Sequence, residues 1–284
     1  MKFLFGIIFV LACVLGGFVL HHGNLAALFV PTEYLIIGGC LLGGMIIKNP
    51  PSVLKRSMGE IFALIKGTSI RKRHYLELLQ MLYELLQLSR KEGVLALESH
   101  VNDPKASSVF GKFPSFMRNH EAVHFTCDTL KLFVAGVMDG LDDLMERDLE
   151  VLHHEEMEPA DALNAAADSL PAIGIVAAVL GIILTMSAID EGAASVGRKV
   201  AGALVGTFLG VFVAYGFVGP MAGAVRNNAE ERSRYLQCIR HVLAAGVTGM
   251  NPALAVEMGR RSIYGVDRPS FEELESTLKG GNKA

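Results

Sequence analysis

Tryptophan is absent, cysteine is confined to four scattered positions, and only 19% of the 284 residues are charged. Without tryptophan, any aromatic belt at a membrane boundary has to be built from tyrosine. Cys13, Cys40, Cys127 and Cys238 form no Cys-x-x-Cys pair, which argues against a zinc or disulfide framework and for buried free thiols. A formal net charge of -3 provides neither the basic surface of a nucleic-acid binder nor an acidic tail, so no nucleic-acid partner is expected. No segment alternates convincingly as a strand would, and 51% of the residues are hydrophobic. An all-α membrane protein with a sizeable polar part is the class that remains.

Charge is absent altogether from four stretches. Residues 3–20 form an unbroken apolar run, longer than the 7–15 residues of a signal-peptide core and read here as a retained span. After an uncharged link, 21–32, a second run covers 34–47 and can start as early as Leu25. Its Gly38, Gly39, Gly43 and Gly44 include a small-xxx-small pair suited to close helix contact, and Lys48, Asn49, Pro50 and Pro51 end it. Residues 170–189 and 200–225 are the other two, each long enough to cross a bilayer. Lys and Arg number 14 in residues 48–169 and 9 in the tail 226–284, with none in the 21–32 link. By the positive-inside rule both termini and the long insertion face the cytoplasm. The expected layout is transmembrane helices 1 and 2 in residues 1–47, a cytoplasmic helical domain in 48–169, transmembrane helices 3 and 4 in 170–225, and a cytoplasmic helical tail in 226–284.

Within the insertion, residues 73–92 read as a helix whose narrow polar stripe is Glu77, Gln80, Glu84, Gln87 and Lys91, with Gly93 placed to stop it. Most of that cylinder must be buried against other helices. Further helical patterns cover 122–136 and 139–154. Pro159 is placed to open a helix running into the third span, and residues 226–241 continue the register of the fourth.

The third and fourth spans look matched. Counting from their ends puts Pro171 and Pro220 at one depth near the cytoplasmic boundary, where each is either an ordinary kink or a hinge. Gly202, Gly206 and Gly210 follow a double GxxxG spacing, and Gly174, Ala178 and Gly181 give the third span a similar stripe; helix packing alone accounts for both. Thr207 and Thr185 count to a similar depth, where their hydroxyls either bond the carbonyl four residues back or line a wet path. Between the two prolines the ionisable groups are Asp190, Glu191, Arg198 and Lys199 of the link and the phenol of Tyr215. A proton or ion relay inside a membrane generally needs Asp, Glu or His. If this chain helps conduct ions, another chain must bring the carboxylate.

LPAIGIVAAVLGIILTM from Leu170, VGTFLGVFVAYGFVGP from Val205, SRKEGVLALE from Ser89 and RPSFEELE from Arg268 together resemble the MotA family of flagellar-motor stator subunits. The resemblance covers essentially the whole chain. It implies a homo-oligomeric ring around a MotB-type partner, whose single membrane helix supplies an essential aspartate, in the bacterial inner membrane. Ion flow would drive the rotor through the switch protein FliG, with no cofactor and no enzymatic step. By motif position Pro171 and Pro220 couple ion passage to motion, Thr207 and Tyr215 lie near the aspartate, and Arg90 and Glu98 face the rotor. Read without the resemblance, Arg90 is a cation at a helix C-terminus and Glu98 a solvated charge. Sodium-using relatives place a threonine where this sequence has Ala178, so a proton is favoured over sodium.

Two other readings compete. A proton-driven energiser of the ExbB or TolQ type shares the mechanism but usually has three spans and a different charge layout. His120, Glu121 and His124 spell H-E-x-x-H, a zinc-protease pattern, with Glu146 as a conceivable third ligand. The longer H-E-x-x-H-x-x-G-x-x-H form does not follow. His153, His154, Glu155 and Glu156 are read as a solvated helix face rather than a metal site.

Overall fold

The computed structural model describes residues 2–67, 70–187 and 189–280, and the regular structure within them is helical, with no strand. Two compact units divide the chain, one of residues 1–68 and 156–228, the other of 69–155 and 229–284.

The first unit opens with α1 (Lys2–Leu20), a 3-10 turn (Leu25–Leu28), α2 (Pro31–Lys48) and α3 (Pro51–Lys66). Pro31 and Pro51 each occupy a first-turn position, where the missing N–H costs nothing. Asn49 closes α2, its Nδ2 donating to the Met45 carbonyl at 2.9 Å. Among the described residues four stretches are long and apolar enough to cross a membrane: Lys2–Leu20, Leu25–Lys48, and parts of two longer helical runs, Leu141–Met186 and Ala193–Val247. Within this one chain α1 buries none of its side chains, as expected of a helix with lipid or other chains for neighbours. No atom lies in contact range of a Cβ placed on Gly38, Gly39, Gly43 or Gly44. The small-residue face of α2 is therefore unused within one chain.

The second unit is built on α4 (Lys72–Glu92). Tyr75, Leu78, Leu79, Met81, Leu82, Leu85 and Leu86 are all buried, as its narrow polar stripe requires, and Gly93 ends the helix at φ +90°. Short α5 (Glu98–Asn102) and α6 (Pro114–Met117) precede α7 (His120–Val134), which Asn119 caps by accepting from the Ala122 N–H at 3.1 Å. α8 (Leu141–Met186) follows as one helix of 46 residues with Pro159 and Pro171 inside it. Pro159 thus does not open a new helix. Packing replaces the lost hydrogen bond, since Ala160 and Leu163 are buried with Leu64, Ala222 and Val225. After α9 (Ala193–Val213) and a π-helical turn (Ala214–Val218), α10 (Gly219–Val247) continues the fourth span's register as far as Val247. In the second unit Tyr235, Leu236, Ile239, Val242 and Leu243 of α10 join the core containing α4, with the Tyr75 and Tyr235 rings 5.4 Å apart.

The four cysteines are free. Cys127 and Cys238 are buried, which pushes their thiols up to about 11 and about 12. Cys13 and Cys40 instead lie on exposed faces of α1 and α2, because an apolar span leaves one face outward within a single chain.

The RPSFEELE segment joins α11 (Pro252–Ser262) to α12 (Phe271–Gly280) by local polar bonds. Arg268 Nε donates to the Ile263 carbonyl at 2.7 Å, and Ser270 and Glu273 form a capping box, with bonds of 2.6 and 3.1 Å. Glu257 accepts from Arg260 at 2.7 Å and from Arg261 at 2.9 Å, while Arg260 Nη1 donates to the Pro269 carbonyl at 2.9 Å. The Arg260 hydrogen bonds hold the Glu257 carboxyl down at about 2. A depressed carboxyl stabilises the fold above its unfolded value near 4.5 and ceases to do so as pH falls through about 2. Glu257→Gln is expected to destabilise the purified protein at neutral pH by an amount on the order of 2 kcal/mol, and equal melting temperatures for the two forms at pH 7 would show the pair contributes nothing.

Candidate functional site

α8 and α9 meet through glycine. A Cβ on Gly174 would lie 2.8 Å from the Gly206 carbonyl oxygen and 3.0 Å from Gly210 Cα. One on Gly210 would lie 2.7 Å from the Leu170 carbonyl oxygen, and one on Gly181 would lie 2.7 Å from Ala203 Cβ. These are contacts with backbone or with the first side-chain atom, so any added side chain drives the helices apart. Leu170, Ala177, Val205, Leu209 and Ala214 pack with Ile37 of α2 in a charge-free cluster, and Ala178 is buried beside it. Gly202, the third member of the fourth-span stripe, has nothing within 4 Å.

The same contacts fix an antiparallel register that corrects two depths. Gly181 meets Ala203, Leu170 meets Gly210, and Asp161 pairs with Arg226 at 2.5 Å. Pro220 therefore lies level with the stretch between Asp161 and Leu170, roughly two turns or ~10 Å along the axis from Pro171. Thr207 lies between the Gly174 and Gly181 levels, while Thr185 is beyond Gly181. Neither pair shares a depth, because apolar limits read from sequence do not mark one plane when helices extend past the bilayer. Ala178 and Thr207, in contrast, do fall at neighbouring levels, with Ala177 Cβ 3.2 Å from the Cβ position of Gly206.

The two threonines differ. Thr185 is buried and donates to the Gly181 carbonyl at 2.8 Å, the ordinary fate of a helical threonine. Thr207 is half-buried, and its hydroxyl makes no hydrogen bond among the described residues. Pro171 is half-buried within α8. Pro220 is exposed and follows the π-helical turn, in which the Gly219 N–H donates to the Ala214 carbonyl, five residues back. A wider turn just before a proline relieves the clash of its ring with the preceding carbonyls. Tyr215, in that turn, is 67% exposed. Sequence showed the proline but nothing of the turn.

One acid escaped the sequence reading. Glu33, on the first turn of α2, is 4% exposed, and its Oε2 has no hydrogen-bond partner. The carboxyl fills the notch left by Gly206, where a Cβ would overlap Oε2. It sits between the uncharged link and the second apolar run. An acid in a helix's first turn is so common that the position carried no signal.

In the second unit Arg90 ends α4 and Glu98 begins α5. Gly93 and a 3-10 turn (Val94–Leu97) separate them, pinned by the fully buried Leu97. Both are exposed, and neither makes an ion pair among the described residues. His120 and Glu121 lie in the first turn of α7 and His124 one turn on, but Glu146 pairs with Arg240 at 3.3 Å. Among the described residues no three His, Cys, Asp or Glu converge as metal ligands. The side chain of Glu191 lies outside the described residues.

The chain matches the family model of the motility protein A N-terminal region over residues 4–93 and that of the MotA/TolQ/ExbB proton channel family over residues 119–238. Motility protein A of Salmonella typhimurium is 37% identical over 281 residues, which is 98% of this chain and 95% of that protein. The chemotaxis protein LafT of Vibrio parahaemolyticus is 38% identical over 279 residues, 98% of each chain. Among solved structures, C. jejuni MotAB superposes with a TM-score of 0.78 at 20% identity, over 95% of this chain and 98% of that one. The flagellar MotAB stator complex of Bacillus subtilis gives 0.71 at 24% identity, over 89% and 92%. At those identities the superpositions establish the fold.

Gly210→Ala is expected to lower the stability of the detergent-purified protein by about 1–3 kcal/mol, as overpacking does, whereas Gly202→Ala leaves its melting temperature unchanged. Equal shifts for the two would contradict the α8–α9 contact.

Proposed function

Because this chain belongs to the MotA/TolQ/ExbB proton channel family and matches motility protein A along its length, we propose that it is a stator subunit of the bacterial flagellar motor, converting ion flow into torque. The observation that carries this is the match over 98% of the chain, including the motility-protein N-terminal model at residues 4–93. An ExbB- or TolQ-type energiser of outer-membrane transport does not account for that N-terminal match.

The protein is a multi-pass protein of the bacterial inner membrane, with both termini on the cytoplasmic side. A homo-oligomeric ring of this chain surrounds a MotB-type subunit. That subunit's single membrane helix supplies the aspartate that carries the ion along a path to which this chain contributes Ala178, Thr207 and Tyr215. The half-buried Thr207 hydroxyl, which makes no hydrogen bond among the described residues, supports its place there. The proton is preferred to sodium because Ala178 offers no second hydroxyl oxygen. Each proton crossing ~100 mV releases ~2.3 kcal/mol, enough to drive a small repacking step. Pro171 and the turn before Pro220 are the points where helices α8 and α9–α10 can bend in that step.

Torque passes to FliG through Arg90 and Glu98. Their exposure, with no ion pair among the described residues, suits charges that must pair and release repeatedly, since surface ion pairs contribute only ~0–1 kcal/mol each.

Deleting the gene is expected to abolish swimming without impairing outer-membrane transport, and the wild-type chain to restore it. The reverse pattern would overturn the proposal in favour of the energiser. Rotation should stop in a proton uncoupler and continue under a sodium-channel blocker. Arg90→Glu is expected to shrink swim-plate rings several-fold while leaving stator recruitment intact; wild-type rings would remove Arg90 from the rotor contact.

A further inference from the structure

The buried carboxyl of Glu33 has no part in the scheme above. Its surroundings are apolar: Ile37 one turn on, Val205 and Leu209 of α9, and Ala177 of α8 are all buried in the same region of the first unit. The notch it occupies exists because residue 206 is glycine. Its Oε2 is shielded from solvent and accepts from no donor.

Charged groups on the packed elements are distant. The 3-10 turn Leu25–Leu28 and residues 170–186 of α8 have none. On α9, Arg198 and Lys199 precede Gly206 by eight and seven residues, ~12 and ~10 Å along the axis. On α2 itself Lys48 is at the opposite end, and His21 and His22 lie in the link before the 3-10 turn. No basic side chain forms an ion pair with Glu33 among the described residues.

A lone ionised carboxylate shielded from water and from any donor is costly, and nothing in the fold requires it. A first-turn acid serves the helix dipole equally well from an exposed position. A proton removes the charge without further ligands. A sodium ion would need several oxygens, and the side chains of the nearby cluster of Ile37, Ala177, Val205 and Leu209 supply none.

We propose that Glu33 is a proton-binding site belonging to this chain, lodged against Gly206, the residue that precedes Thr207, and that it relays protons to the path served by the partner's carboxylate. In one cycle the ionised carboxylate takes a proton from hydronium, leaving water and a neutral acid. It then gives that proton to the partner's carboxylate and returns to its ionised form. This inference rests on the proposed ion-conducting function and adds a relay to it.

The test uses motile cells expressing the full chain with its partner. Rotation speed is measured across external pH 5.5–8.5, with recruitment of a fluorescent fusion as the check on assembly. Glu33→Gln keeps the shape but cannot titrate. It is expected to be recruited normally and to rotate several-fold more slowly, with the deficit growing as pH rises and protons become scarce. Glu33→Asp is expected to recover a pH response like that of the wild type. Wild-type speed for Glu33→Gln across the range, or an equal and pH-independent loss for both variants, would overturn the relay. Rotation by the wild type in the same cells leaves the stator function standing in either case. Should Glu33→Gln fail to assemble, wild-type membranes decide. Dicyclohexylcarbodiimide modifies protonated carboxyls in apolar sites, so mass spectrometry should find Glu33 labelled, less so as pH rises. No label at Glu33 at any pH would overturn the proposal.

Discussion

Gly174 and Gly210 bring the backbones of α8 and α9 together, and the rest of the first unit is arranged around that approach. Because no side chain fits between the helices there, the contact is hydrocarbon and peptide with no room for charge. Ile37, Ala177, Val205 and Leu209 extend it toward α2. Gly206, in the same stripe, leaves space for a different guest, the carboxyl of Glu33. One small-residue pattern therefore serves two physical ends, close packing at Gly210 and accommodation of a polar group at Gly206, while Gly202 serves neither within a single chain.

The second unit solves another problem, how to hold exposed charges on a firm base. Seven buried residues of α4 anchor it in the core, Gly93 turns the chain, and the buried Leu97 pins the start of α5. Arg90 and Glu98 are thus presented from fixed backbone rather than from a loose loop. Helices α8 and α10 contribute residues to both units.

Much of this was legible from residue order. Four charge-free runs gave the spans, and the stripe from Glu77 to Lys91 gave the buried face of α4. The apolar limits, however, mark where hydrophobicity stops and not where helices stop, which is why Pro159 looked like a helix start and the two prolines looked level. Register follows from side-chain contacts such as Gly181 with Ala203, which no single-sequence count contains. Glu33 was hidden for a related reason: burial is a property of neighbours, and its neighbours come from α8 and α9. The rotor contact proposed for Arg90 and Glu98 rests on family resemblance alone, since an exposed charge looks the same whether or not it meets a partner.

The proposed ion path needs the partner's carboxylate, because the α8–α9 contact itself contains no ionisable group and Glu33 is proposed only to relay protons to it. Cytoplasmic acidification can be followed with a pH-sensitive fluorescent protein in cells expressing this chain alone, the single-span partner alone, both, or both with the partner's membrane aspartate changed to asparagine. Acidification is expected only when both unmodified chains are present. Acidification by this chain alone, or undiminished flux with the asparagine partner, would contradict the shared path.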